Sequence, residues 1–266
     1  MSSASLRRAV QDLKARAPTR RPAVPEDRLE FAGSLGIVPD PWQREFLHSD
    51  SPRVLLNCAR QSGKSTMAGV VALHRALTAP RSLVLILAPA ERQAKELFSK
   101  VAEAYHALGH VIPAESYRKL GMDLANGSRI EALPGTEKTV RGFSSVDLLI
   151  VDEASRVADD LYYAVRPMLA ISGGRLMLLS TPYGKRGAFF EEWAEGEGWE
   201  RYEVPAAQCP RIPDTFLEEE CRALPAWIYR QEYECSFEKT EDQVFSHELV
   251  RAAITDEVRP LFEEAS

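Results

Sequence analysis

The segment that most constrains this chain runs from Arg53 to Leu77. A short apolar-centred stretch, Arg53 to Asn57, leads into Cys58-Ala59-Arg60-Gln61-Ser62-Gly63-Lys64-Ser65, and small and apolar residues at helical spacing follow from Ser65 to Leu77. A buried strand, a tight loop and a helix with Gly-Lys-Ser at the junction form a phosphate-binding arrangement. Backbone N–H groups at the helix start can cradle phosphate oxygens, Lys64 can reach the β- and γ-phosphates, and the Ser65 hydroxyl suits Mg²⁺. Cys58 stands where the loop pattern normally has its first glycine. A chance resemblance of loops stays open at this point, but the strand and helix on either side favour the phosphate reading.

Further apolar segments alternate with helical patterns. Leu83–Ala88, Val146–Val151 and Arg175–Leu179 read as strands, and Glu91 to Leu108 as a charged amphipathic helix. Arg118–Leu124 and Arg129–Leu133 flank Asn126-Gly127, a hairpin signal. Strands apolar on both faces, separated by helices, imply a parallel sheet covered on two sides. The composition, 45% hydrophobic and 27% charged, suits such a fold and excludes a disordered or fibrous chain. The longest apolar run, Leu83–Ala88, is far shorter than the ~20 residues of a spanning helix, so no membrane partner is expected. The basic N-terminus has no apolar stretch behind it and does not read as a secretory signal. Cys58, Cys209, Cys221 and Cys235 form no C-x-x-C pair, which points to reduced thiols in a cytoplasmic protein and not to zinc.

Charge is divided unevenly along the chain. From Ala188 onward there are 7 basic and 20 acidic residues, and before it 26 basic and 19 acidic. The positive part suits a polyanion such as nucleotide or DNA, although a solvated surface would carry the same charges. The decisive second motif is Leu148-Leu149-Ile150-Val151-Asp152-Glu153, an apolar strand ending in two acids. Asp152 can hold the magnesium shell and Glu153 can polarise an attacking water. Adjacent acids also simply begin helices. Gly63-Lys64-Ser65 upstream makes an ATP-hydrolysing site the better reading.

Taken in order, Trp42-Gln43, Arg60 to Thr66, Asn126-Gly127-Ser128, Leu149 to Ala154, Leu179-Ser180-Thr181-Pro182 and Arg230-Gln231-Glu232-Tyr233 resemble the ATPase domain of large terminase subunits, the motors that package viral DNA. The resemblance spans about residues 30 to 248, and arginine ahead of Ser62-Gly63-Lys64 is typical of that family. It implies ATP contacts by Gln43, Arg60, Gln61, Ser62, Gly63, Lys64, Ser65 and Thr66, with Ser65 and Asp152 on Mg²⁺ and Glu153 as catalytic base. Gln43 corresponds to an adenine-recognising glutamine, the alternative being a surface residue on a helix from Pro41 to Leu47. Arg60 is implied to touch phosphate or move during the cycle, the alternative being a surface ion pair. Ser180 and Thr181 correspond to a coupling motif, or else form a plain strand exit. Arg141, in Thr139-Val140-Arg141-Gly142-Phe143, corresponds to an arginine finger acting on a neighbouring subunit's ATP, or is an ordinary solvated arginine.

The resemblance implies an α/β fold: a RecA-like three-layer sandwich of the P-loop NTPase type with a mostly parallel sheet and a small C-terminal helical lid or linker. The expected division is a basic arm at 1–28, an ATPase core at 29–207, a lid at 208–250 and a tail at 251–266, where the family's nuclease domain would follow. Acids after Ala188 sit in helical stretches rather than at strand ends, so nuclease activity is not expected of this chain. Implied partners are double-stranded DNA, the portal, the small terminase subunit and, once assembled, further copies in a ring, a pentamer by resemblance, with a monomer or weak oligomer expected of the isolated chain. Implied locations are the host cytoplasm and, transiently, the procapsid portal. Two rivals stay open: a RecA-like domain of a superfamily 2-type helicase, and a nucleotide-regulated docking or DNA-binding module that does not hydrolyse ATP.

Overall fold

In the computed structural model, residues 24–135, 140 and 142–238 are described. Eight strands form one sheet: β1 Arg53–Cys58, β2 Leu83–Ala88, β3 Ala114–Arg118, β4 Gly121–Leu124, β5 Arg129–Pro134, β6 Leu148–Asp152, β7 Arg175–Ser180 and β8 Glu200–Val204. Their spatial order is β3-β4-β5-β2-β6-β7-β1-β8. All neighbours from β5 to β8 pair in parallel, and β3 and β4 add an antiparallel edge. Among the described residues the α-helices are α1 Arg28–Ser34, α2 Pro41–His48, α3 Lys64–Thr78, α4 Glu91–Ala107, α5 Asp159–Val165, α6 Gly187–Ala194, α7 Asp214–Ala223 and α8 Ala226–Tyr233.

Alternation along the strands makes the layers. Val54, Leu56, Ile86, Ile150 and Leu179 face one core with residues of α1 to α4. Leu55, Leu85, Leu149, Val151 and Leu178 face the other with residues of α5 and α6. Both sets are buried, each large side chain contributing roughly 1.5–3 kcal/mol. This is the expected three-layer α/β sandwich with a mostly parallel sheet.

Several boundaries differ from the sequence reading. Val24 packs on the core, the Pro25 carbonyl lies 3.1 Å from His74 Nε2, and Arg28 donates to the Leu47 and Ser49 carbonyls, so residues 24–28 join the core rather than an arm. The rest of the expected arm, residues 1–23, falls outside the described residues, as does the tail at 251–266. Arg118 closes β3, a strand the sequence reading missed, and the hairpin partner of β5 is β4 alone. The described part of the segment expected as a lid, residues 208–238, carries the two helices α7 and α8, separated at Leu224-Pro225, and residues 239–250 lie outside the described residues. Cys58, Cys209, Cys221 and Cys235 are all free thiols.

Close packing at the start of β7 gives a stability prediction. A Cβ on Gly174 would lie 2.1 Å from the Val146 carbonyl oxygen and 3.0 Å from that of Asp147. Backbone cannot yield as a flexible side chain does, so Gly174→Ala should cost about 1–3 kcal/mol or more, read as a lowered denaturation midpoint. An unchanged midpoint would refute this packing.

Candidate functional site

Parallel strands bring loops with different jobs to one edge of the sheet. The loop after β1, the acids ending β6 and the Ser-Thr pair ending β7 meet there, beside the start of α3. They border a cleft of about 680 Å³ lined by Arg60, Gln61, Gly63, Lys64, Ser65, Thr66, Asp152 and Glu153, with side chains of α4 opposite.

The loop is held by two left-handed residues, Gln61 at φ 61° and Gly63 at φ 92°. Cys58 occupies the last position of strand β1, where no positive φ is required, which explains how a non-glycine residue fits. Burial pushes its thiol up to about 12, so it fills space as a neutral group. Gly63 is constrained twice over. Its φ disfavours a side chain, and a Cβ would stand 2.7 Å from Gln43 Nε2 and 3.2 Å from an Arg211 nitrogen. Gly63→Ala should therefore weaken nucleotide binding by roughly tenfold or more while melting changes little, because the loop rather than the core must move. Wild-type affinity in that variant would contradict the loop geometry.

Lys64 joins three segments. Its ammonium donates to Thr181 Oγ1 at 3.4 Å and lies 3.7 Å from Glu153 Oε1, and its side chain is only 9% exposed. Thr181 Oγ1 donates in turn to the Cys58 carbonyl at 3.1 Å. Behind Glu153, Ser155 Oγ lies 2.6 Å from Ser180 Oγ and donates to the Thr181 carbonyl at 2.8 Å. Phosphate loop, strand-end acids and Ser-Thr pair thus share one hydrogen-bonded network. Glu153 has φ 49°, a left-handed conformation that costs a non-glycine residue about 1–2 kcal/mol and turns it out of the strand direction.

Asp152 is buried, and Oδ1 accepts the Glu153 N–H at 3.0 Å. Burial, then the Glu153 charge, push its carboxyl up to about 7 against the opposing pull of Lys64. Two carboxylates, Asp152 buried and Glu153 partly exposed, thus stand beside one buried ammonium. An oxygen-ligated hard cation fits that donor set, with the Ser65 hydroxyl in reach of the same cleft.

Other expected residues sit differently. The Gln43 amide is buried, with Oε1 accepting from Asp40 N–H at 3.0 Å and Nε2 donating to the Ser62 carbonyl at 3.3 Å. It braces the loop, and an adenine edge would meet it only after those bonds are given up. Arg60 lines the rim and pairs with Glu232 of α8 at 2.5 Å, the surface ion-pair alternative realised. Arg141 lies outside the described residues.

The sequence reading missed several participants. Arg211 bridges Asp40 at 2.8 Å and the Ser62 carbonyl at 2.9 Å, clamping the loop from the segment that precedes α7. Arg92, Gln93, Glu96 and Lys100 of α4, and Arg156 behind Glu153, complete the cleft. Arg211 carries no local pattern, but Asp40-Pro41-Trp42-Gln43 is a capping sequence that could have foretold the Gln43 bond to Asp40. A second cavity, about 590 Å³, opens at the opposite end of the sheet. Two of its arginines pair with acids of its own wall, Arg28 with Asp50 and Arg75 with Asp147, and the motifs that suit a nucleotide all lie at the first cleft.

Fold and site together define a P-loop nucleoside-triphosphate domain of the RecA-like class. The chain belongs to a narrower group: the family model for the terminase large subunit, T4likevirus-type, N-terminal, matches residues 55–251. It is 29% identical over 234 residues to the large terminase subunit of Escherichia phage T5, covering 82% of this chain and 53% of that one. It is 27% identical over 229 residues to that of Thermus virus P23-45, covering 79% and 47%. The chain thus spans about half the length of these curated relatives. In fold it resembles the large terminase ATPase domain of Thermus phage P74-26, with a TM-score of 0.70 at 23% identity, covering 79% of this chain and 98% of that one. The large terminase of a thermophilic bacteriophage in complex with ADP is similar too, with a TM-score of 0.64 at 11% identity, covering 75% and 54%.

Proposed function

We propose that this chain is the ATPase motor domain of a viral large terminase, hydrolysing Mg²⁺-ATP to drive double-stranded DNA into a procapsid. The observation that carries this reading is Lys64 buried between Thr181 and Glu153, with Asp152 beside them. Lys64 and the loop N–H groups bind the β- and γ-phosphates. Glu153 orients water for in-line attack and takes its proton. Ser65 and Asp152 hold Mg²⁺, which supplies charge neutralisation at the phosphates when bound. Thr181 and Ser180, bonded to both Lys64 and the segment behind Glu153, carry the phosphate state into the sheet edge. The thermophilic bacteriophage's large terminase in complex with ADP and with ATP-γ-S is consistent with nucleotide as ligand. The partners of this chain in this reading are the portal, the small terminase subunit and further copies in a ring, in the host cytoplasm and at the procapsid portal.

DNA association should be sequence-independent and steeply salt-dependent, because lysine and arginine contacts to phosphate release counterions. The positive half of the chain, with 26 basic and 19 acidic residues, supplies those contacts. Fluorescence anisotropy on duplexes of unrelated sequence at rising salt tests this. Tight binding to a single sequence at physiological salt would instead favour a site-specific DNA-binding protein.

Arg141 is proposed as the finger a subunit lends to its neighbour's ATP, a contribution of ~10³–10⁵ in other phosphoryl-transfer enzymes. Hydrolysis should then rise more than linearly with protein concentration, and Arg141→Ala should abolish the rise without weakening ATP binding. Mixing Arg141→Ala with Glu153→Ala should restore part of the turnover, since one keeps an intact pocket and the other a usable finger. A mixture as inactive as its parents, while wild-type subunits assemble, would remove Arg141 from that role.

A further inference from the structure

Directly after the Ser180-Thr181-Pro182 segment comes Tyr183, and the Arg156 guanidinium carbon lies over its ring, 4.0 Å from the centroid. Arg156 closes the 3-10 turn Ala154–Arg156 that begins behind Glu153, and it lines the cleft together with Lys64, Asp152 and Glu153. At ~2 Å of rise per residue, such a turn keeps Arg156 close to the catalytic carboxylate's backbone. A second guanidinium, that of Arg186, sits 5.3 Å from the same ring. Among the described residues no carboxylate forms an ion pair with Arg156 or Arg186, and both guanidinium groups stand at the Tyr183 ring.

This is an unusual way to keep an arginine beside two acids. A guanidinium lying over an aromatic face is anchored by the ring quadrupole and keeps its in-plane N–H donors available. Two such cations around one ring repel each other, and an anion between or beside them relieves that repulsion. Of the other cations lining the cleft, Lys64 faces Glu153, Arg60 pairs with Glu232 and Lys100 with Glu103, while Arg92 belongs to the wall formed by α4. A planar, delocalised cation with free donors matches phosphate oxygens, which it can take two at a time.

We propose that Arg156 is a second cation, supplied by the same subunit, for the terminal phosphate of the bound nucleotide, with Tyr183 as its platform. This rests on the reading of the cleft as an ATP site. The γ-phosphate is the group chosen because Arg156 enters from the side of Glu153, where the attacked phosphorus must lie. When Arg156 turns to phosphate, Tyr183 gives up the nearer of its two cations and keeps Arg186, and the coupling segment it ends senses the change. Ser155, bonded to Ser180 and to the Thr181 carbonyl, ties the same turn to that segment from behind. Arg156 thereby distinguishes ATP from ADP.

The test is equilibrium binding of ADP and of a non-hydrolysable ATP analogue, each with Mg²⁺, to the full chain and its variants. Arg156→Ala should lose roughly tenfold or more in affinity for the ATP analogue, the scale of one charged hydrogen-bonding group, while ADP affinity stays within about twofold. Tyr183→Phe should behave as wild type because the ring is kept, and Tyr183→Leu should lose part of the same discrimination. Lys64→Ala separates the two levels of the argument. If it abolishes binding of both nucleotides while Arg156→Ala affects neither, or both equally, Arg156 is not the γ-phosphate ligand and the ATP site stands. If Lys64→Ala binds both nucleotides like wild type, the ATP site itself is wrong and this inference falls with it.

Discussion

Lys64→Ala should lose ATP affinity by about 10²–10³-fold while the chain stays folded. The ammonium is nearly enclosed, and it is the counter-charge closest to Glu153, 3.7 Å away. Removing the ammonium leaves the partly exposed Glu153 carboxylate uncompensated in the cleft. Here the loss doubles in meaning. The phosphates forfeit a charge-assisted donor, and they must also approach Asp152 and Glu153 with less positive charge between them. Thr181 Oγ1 would keep its bond to the Cys58 carbonyl, so the loop and the end of β7 remain joined. The first turn of α3 accepts alanine readily, and the helix core, from Met67 through Leu77, is untouched. Calorimetric titration with nucleotide, paired with thermal melting, reads both effects. Wild-type affinity in a folded Lys64→Ala protein would remove the phosphate-loop assignment.

Glu153→Gln should do the opposite: bind ATP as well as wild type or better, and lose turnover by ~10²–10⁴-fold, the range for a missing general base. Glutamine keeps the length of the side chain, and its carbonyl can still accept from Lys64. It cannot take a proton from water. The left-handed backbone at this position, φ 49°, makes glutamine a cleaner probe than alanine, since it changes the acid without shortening the side chain at a strained residue. Tighter binding is reasonable because one negative charge facing the phosphates is gone. Were Glu153→Gln to bind as poorly as Lys64→Ala, the division between binding and chemistry would be mistaken.

Local patterns carried the parts of this site that the sequence made legible. Lys64, Ser65, Asp152, Glu153, Ser180 and Thr181 all stand at the end of a strand or the start of a helix, where strong apolar segments announce the boundary. The central strands were equally plain, since burial on both faces leaves runs such as Leu-Val-Leu-Ile-Leu-Ala in β2. Edge strands were not. β3 and β8 read Ala-Glu-Ser-Tyr-Arg and Glu-Arg-Tyr-Glu-Val, half exposed and rich in charge, and nothing local separates them from loop. The contacts that finish the cleft were invisible for a different reason. Arg60 meets Glu232 across 172 positions and Arg211 meets the Ser62 carbonyl across 149, and no spacing rule reaches so far. Gln43 shows how a motif can be read correctly and its neighbourhood missed. Its helix was expected, yet the amide is turned inward by Asp40 and Ser62, a consequence of how α2 docks beside the loop.

The most direct test of the central claim is release of inorganic phosphate from Mg²⁺-ATP by the wild-type chain and by Glu153→Gln, at nucleotide concentrations that saturate both and over a series of protein concentrations. Wild type should release phosphate at a rate per subunit that climbs as subunits meet, and Glu153→Gln should stay at least about a hundredfold slower with its site equally full. Equal rates from the two proteins, or no release by wild type at any concentration although ATP is bound, would contradict a hydrolysing motor and leave a module that only binds nucleotide.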